Sequence, residues 1–249
     1  MDFTSLIDNF YPATGAFSAM LWASFQRDSL VADPVFVKRV TSAATKDQIR
    51  TFLGESCRFS IVGKHPNFAC VAGFYFQDKL PHSIYRSLDW LGNLKLQLKE
   101  QRILACQRQC QLVLTTDRLV SIALDILNAV SYLHSKLGII HGDIATRNCY
   151  LKTDLGACLS DCALSRDLFP EDYHCLGDNK NRPIKWMSVE GIIEHKLTAS
   201  ADIWSMGVVL WELITRAQQP FEDVDPFEIP VSLLHGVRLA KPLNCPDKL

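Results

Sequence analysis

The sequence has no apolar stretch long enough to span a bilayer. Its longest apolar run, around Gly207 to Leu210, is far short of the roughly 18 residues a spanning helix needs. It has no excess of charge of either sign. With 26 Lys and Arg against 27 Asp and Glu, the formal net charge is −1, which gives no whole-chain case for binding nucleic acid or a membrane surface. It has no CxxC pair. The nine cysteines are an odd number and scattered, and Cys106 and Cys110 have no Cys/His cluster beside them. Reduced thiols in the cytosol or nucleus are therefore expected, rather than zinc or disulfides. Met1-Asp2-Phe3 lacks a basic opening and no continuous apolar stretch follows, so the chain as given reads as soluble, without a signal peptide. There is no internal repeat and no low-complexity tract. What is present is 48% hydrophobic and 21% charged residues over 249 positions, enough to bury a sizeable core in one large domain or two small ones.

The first third reads as short strands. Ala19 to Ala23 and Val35 to Lys38 are apolar and compact, and Asp33-Pro34 supplies a turn signal. Thr45 to Phe59 carries Ile49, Phe52 and Leu53 at helical spacing, and Asn67 to Phe76 returns to strand character. From Leu88 the pattern turns helical. Leu119, Ile122, Ile126, Val130 and Leu133 give a helix over Thr116 to His134, with Thr116 or Asp117 as its cap and Gly138 as its stop. Ile139 to about Pro183 is polar and irregular. Thr198 to Thr215 is apolar nearly all round, as a helix central to a large domain would be. The expectation is an α+β architecture: a small strand-rich N-lobe over about 1–87 and a larger helical C-lobe over about 88–249, with the cleft between them as the default ligand site.

His141-Gly142-Asp143-Ile144-Ala145-Thr146-Arg147-Asn148 carries the strongest chemical signal. An Asp followed five residues on by an Asn, in a loop after an apolar helix, suits phosphoryl transfer. Asp143 would accept the proton of a substrate hydroxyl, and Asn148 would bind magnesium. Asp161, eighteen residues after Asp143, would hold the metal that bridges the phosphates. Lys38, at the end of an apolar strand, would contact the α- and β-phosphates while Glu55, in the following helix, holds it by an ion pair. Asp202, at a helix terminus within a buried element, reads as structural, there to satisfy backbone donors.

These strings together resemble a protein kinase, over nearly the whole chain. Ala145 and Arg147 before Asn148, and Pro183-Ile184-Lys185-Trp186-Met187, resemble the tyrosine-kinase form. His65-Pro66-Asn67 resembles the turn that follows the αC helix. Glu190 resembles the Glu that closes the activation segment. The run Asp161 to Asn179 is similar to the activation segment of the Ryk/Derailed family of Wnt-receptor-related tyrosine kinases. Gly92 to Leu96, Asp225 to Glu228 and Asn244 to Asp247 also resemble that family. The resemblance implies a two-lobed kinase fold with further helices beyond Asp247 that this sequence does not contain. It implies ATP and Mg2+ as cofactors, with Gly15, Met20, Lys38, Asn148 and Asp161 around the nucleotide. It implies signalling proteins as partners and a place on the cytoplasmic side of the plasma membrane, within a single-pass receptor.

Several positions depart from the kinase pattern. The glycine-rich loop, Ala13 to Met20, keeps only Gly15; Ala13 and Ser18 add side chains where backbone amides must close on phosphates. Met20 stands where a Val is expected over the adenine. Gly142 replaces the Arg that reads an activation-loop phosphate, and is expected to loosen the backbone beside the base. Cys162-Ala163 replace Phe-Gly after Asp161. The charged residues are thus intact while the positioning ones are altered. That pattern favours a pseudokinase that binds partners. The alternative, an active protein-tyrosine kinase using Asp143, Lys38, Asp161 and Asn148, stays open.

Overall fold

The computed structural model describes residues 6–28, 31–85, 90–107, 114–243 and 245–246. Leu88 at the expected lobe boundary, and Cys110, Asn244 and Asp247, lie outside them, as does the side chain of Cys106. The chain divides into two compact units, Met1–Trp90 with Ser160–Pro170, and Leu91–Leu159 with Glu171–Leu249.

The first unit is built on a five-stranded antiparallel sheet of order β1-β2-β3-β5-β4. The strands are β1 (Leu6–Thr14), β2 (Ser18–Asp28), β3 (Val31–Val40), β4 (Val71–Gln77) and β5 (Leu80–Tyr85). Alternation along the strands sorts the side chains into two faces. Leu21, Ala23, Val35, Val37 and Ile84 form an apolar cluster on one. On the other, the register sets Met20 opposite Lys38, Lys38 opposite Ser83 and Phe36 opposite Tyr85. Helix α1 (Lys46–Phe59) starts with a reciprocal cap between Thr45 and Gln48. Its Ile49, Phe52 and Leu53 pack with Val40 and Leu164, so the helical spacing of those residues marks its inward stripe. The strand expected from Asn67 begins only at Val71; before it, His65 and Phe68 make an isolated bridge and His65 Nδ1 accepts from Asn67 N.

In the second unit the helical signal after Leu88 is preceded by a short strand, β6 (Trp90–Asn93), before α2 (Leu94–Gln107). Helix α3 (Thr116–Tyr132) is capped from Thr115 without a side-chain bond, not from Thr116 or Asp117. It runs into one π-type turn at Leu133–Leu137 and stops at Gly138, whose φ of 65° and ψ of 23° are left-handed. The irregular stretch holds β7 (Cys149–Lys152) and β8 (Ala157–Leu159), which pair antiparallel. The short helix α4 (Ser165–Leu168) follows in the first unit, and α5 (Val189–Ile193) belongs to the second. Helix α6 (Ala199–Thr215) is capped by the Thr198 side chain and buries Met206, Val208, Val209 and Leu213. Helix α7 (Ile229–Leu234) packs Ile229 and Leu233 on Ile184 and Ile192. Among the described residues, no helix is long and apolar enough to cross a membrane.

Candidate active site

The residues assigned to phosphoryl transfer fall in both units, and each set has its own internal logic. In the first unit, Lys38 is 3% exposed and its ammonium meets Ser160 Oγ at 2.9 Å, Asp161 O at 2.9 Å and Asp161 Oδ1 at 3.1 Å. The strand register carries Tyr85 to the same face. Its hydroxyl donates to Asp161 Oδ2 at 2.5 Å, and the Lys38 ammonium lies 5.2 Å from its ring centroid. The Ala163 amide donates to Asp161 Oδ1 at 3.1 Å. Burial pushes the Asp161 carboxyl up, but the Lys38 charge and the bonds from Tyr85, Ala163 and Lys38 outweigh it and hold the group below the usual carboxylate range.

The ion pair seen for Glu55 is with Arg58 at 3.1 Å, and the Cys162 thiol donates to Glu55 at 3.6 Å. Cys162, standing where a large aromatic is expected, is itself buried and borders α1 through this bond. Met20 is buried and stands opposite Lys38 in the strand register. Gly15 lies in the turn between β1 and β2, where its amide donates to Ser18 O at 2.8 Å. The amides of that turn do not point into open space. Ala16 N and Phe17 N donate to the two oxygens of Asp167 at 3.0 and 3.1 Å, and Ser18 Oγ donates to Oδ2 at 2.6 Å.

In the second unit the catalytic loop is pinned from below by two buried carboxylates. Asp202 accepts from His141 N at 2.7 Å and Gly142 N at 2.8 Å, the structural role expected of it. Glu212 accepts from Thr146 N and Oγ1 and from Trp186 Nε1. Gly142 has φ of 81°, so it does not loosen the loop as expected; Asp202 fixes its amide in a conformation that favours glycine. Asn148 donates through Nδ2 to Asp143 O at 2.6 Å, which ties the base and the candidate metal ligand into one turn. Asn93, at the start of α2, donates to Arg147 O at 2.6 Å and accepts from Leu96 N.

Asp143 itself is occupied. The Tyr173 hydroxyl donates to Asp143 Oδ2 at 2.5 Å, and Arg147 pairs with Asp143 Oδ1. Arg147 also donates to the Tyr173 hydroxyl at 2.9 Å and to Asp172 at 3.2 Å, while buried Lys95 pairs with the same Asp172. Burial alone would lower the Arg147 pKa, but Asp143, Tyr173, Asp172 and Glu212 drive it well above the ordinary value. Lys95 moves down, because its burial outweighs the attraction of Asp172 and Glu212. Tyr173 is only 5% exposed. Of these, Tyr85, Asp167, Asp172 and the pairing role of Arg147 were missed by the sequence reading. Lys95, a charge flanked by Leu94 and Leu96, was the one visible hint.

A base held beside an Asn five residues on, below a helix-borne Asp and Glu, is the architecture of a protein-kinase catalytic loop. The model of the protein tyrosine and serine/threonine kinase family matches residues 13–249. The chain belongs to this kinase family. Within it, the chain is similar to tyrosine-protein kinase RYK of Homo sapiens, 39% identical over 232 residues that cover 90% of this chain and 36% of that protein. It is also similar to tyrosine-protein kinase Dnt of Drosophila melanogaster, at 43% over 86% of this chain and 35% of that protein. A Caenorhabditis elegans relative, inactive tyrosine-protein kinase RYK, is 42% identical over 87% of this chain and 39% of that protein. The chain thus spans a little over a third of the length of these relatives. It is a kinase-like domain related to the Ryk/Derailed proteins, with the α+β fold expected of it, and kinases of this family in general bind ATP and Mg2+.

Proposed function

We propose that this kinase domain signals by binding partner proteins and has lost effective phosphoryl transfer. One observation carries the reading. The carboxylate assigned to magnesium, Asp161, is fully buried, and Lys38, Tyr85 and Ala163 occupy both of its oxygens. The lysine assigned to the phosphates is spent on the same carboxylate. A magnesium-bound nucleotide would have to displace these contacts, which supports weak binding. The altered Ala13, Ser18 and Cys162-Ala163 agree with this, and so does the word "inactive" in the name of one relative. By its likeness to the Ryk/Derailed proteins, the domain would work at the cytoplasmic side of the plasma membrane, within a single-pass Wnt-related receptor.

A second reading is favoured by a specific contact. Tyr173 presents its hydroxyl to Asp143 as a substrate tyrosine would, and Arg147 steadies both groups. A working base restrained by its own chain would look the same, which keeps the active protein-tyrosine kinase in play, with Asp143 as base and Asn148 and Asp161 for metal.

Thermal unfolding with millimolar ATP and magnesium separates the two. Ligand stabilisation grows as RT ln(1 + [L]/Kd), so weak binding leaves the midpoint nearly unmoved. A stabilisation of about 2.7 kcal/mol, which corresponds to ATP at roughly 100 Kd, would sink the proposal.

A further inference from the structure

We infer that Asp167 is an internal anion built into the β1–β2 turn, where it takes the backbone donors that a nucleotide's phosphates would use and competes with them. The inference deepens the reading of weak nucleotide binding and rests on the assignment of that turn as the phosphate loop.

The contact is specific in three ways. Both carboxylate oxygens are engaged, by Ala16 N, Phe17 N and Ser18 Oγ, at distances of 2.6 to 3.1 Å. Consecutive backbone amides converging on one anion are how such loops hold phosphate. Next, the turn is shaped to the carboxylate. A Cβ added at Gly15 would lie 2.0 Å from Asp167 Oδ2 and 2.9 Å from Asp167 O, so the single glycine left in the loop is required by this internal anion. Ser18 stands where the kinase pattern has a glycine, and its hydroxyl makes the shortest of the bonds. The change that weakens the loop as a phosphate cradle thus strengthens it as a carboxylate cradle. Finally, Asp167 is aimed by packing. Leu164 and Leu168, on either side of it, join Val40, Phe52 and Phe17 in one apolar cluster, which seats α4 against the turn.

Two anions cannot share these amides without strong like-charge repulsion. The loop is therefore competent for phosphate only in the fraction of molecules in which Asp167 has left, and apparent affinity falls by that fraction. Adenosine, which has no phosphate, is indifferent to the plug.

The test measures binding of magnesium-ATP and of adenosine to the full chain by calorimetry, for the unsubstituted protein and for Asp167→Ala. The expected result is at least a tenfold gain in ATP affinity with adenosine unchanged. No gain for ATP, or an equal gain for both ligands, overturns the inference. Asp167→Asn covers a failure of the alanine variant to fold. It keeps the shape but loses one acceptor, and it should show a smaller gain of the same selectivity. Amide exchange supplies a readout free of nucleotide: Ala16 and Phe17 should be protected in the unsubstituted chain and exchange faster in either variant. Rapid exchange there in the unsubstituted chain also overturns it. Phosphoryl transfer by the unsubstituted chain would defeat the proposed loss of activity, yet would leave the plug standing if the ATP-selective gain persisted.

Discussion

Asp161 in the first unit and Asp143 in the second are both buried, and each is clasped by one cation and one tyrosine hydroxyl: Lys38 with Tyr85, and Arg147 with Tyr173. The clasps differ in what carries the tyrosine. Tyr85 ends a central strand and packs edge-on against Phe36 and near Trp90, so its hydroxyl is as fixed as the sheet. Tyr173 lies in an irregular segment between Asp172 and His174, where the backbone pairing is an isolated bridge from His174 to Arg182. The first clasp is part of the fold; the second is a docked segment, which can open locally at less than the free energy of global unfolding.

The largest effects should come from removing the cations. Breaking a buried pair by deleting one partner costs about 3–5 kcal/mol, because the other charge is left uncompensated. Arg147→Met leaves Asp143 without a cation and takes one of two from Asp172, which keeps Lys95; it should exceed Lys38→Met, which leaves only Asp161 without one. Denaturant unfolding midpoints would show the order, and equal losses would mean that the two clasps are energetically alike.

Deleting single hydroxyls sharpens the contrast. A hydrogen bond to a charged group is worth about 1.5–3 kcal/mol. Tyr85→Phe should show that loss in global unfolding. Tyr173→Phe should show it chiefly as faster amide exchange over residues 171–176, with a smaller change in the global midpoint. Phosphorylating Tyr173 should go further in the same direction. It adds close to two negative charges beside Asp143 and Asp172 at a buried position, so protection over residues 171–176 should disappear. Retained protection would show that Arg147 can receive the phosphate in place.

Acid probes the first clasp. The folded Asp161 carboxyl lies below its ordinary value, so its contribution is fully present above the unfolded pKa of about 3.9 and is lost as pH falls through the lower folded value. Stability measured across that acid window should fall more steeply for the unsubstituted chain than for Asp161→Asn. The smallest effect on signalling, as distinct from stability, is expected from Asp143→Asn. If partner binding is the function, rescue of a receptor-null cell by a full-length receptor carrying this change should equal the unsubstituted protein at matched abundance. Failure of rescue would support the active-kinase reading.

Much of this was legible locally. The helix after Thr45, its inward stripe, the Gly138 stop and the role of Asp202 all follow from spacing over a few residues. The choice of chemistry residues followed from the kinase pattern. What spacing cannot give is which buried groups meet across the chain. Tyr85 and Asp161 are 76 positions apart, and Ser18 and Asp167 are 149 apart. Sheet register and the seating of α4 bring them together. The ion pair expected between Lys38 and Glu55 illustrates the limit: each residue was singled out, but the partners seen for them are Asp161 and Arg58.

Gly142 bears on whether such a domain can be repaired by evolution. Its φ of 81° favours glycine, and a Cβ there would meet Leu197 Cδ1 at 3.1 Å. Returning the arginine of the kinase pattern would add backbone strain of about 1–2 kcal/mol and press on Leu197, before any phosphate existed for it to read. Reversion at one codon is then uphill, and a lineage that has accepted this glycine regains the arginine only after its surroundings, Leu197 first, have changed to admit it.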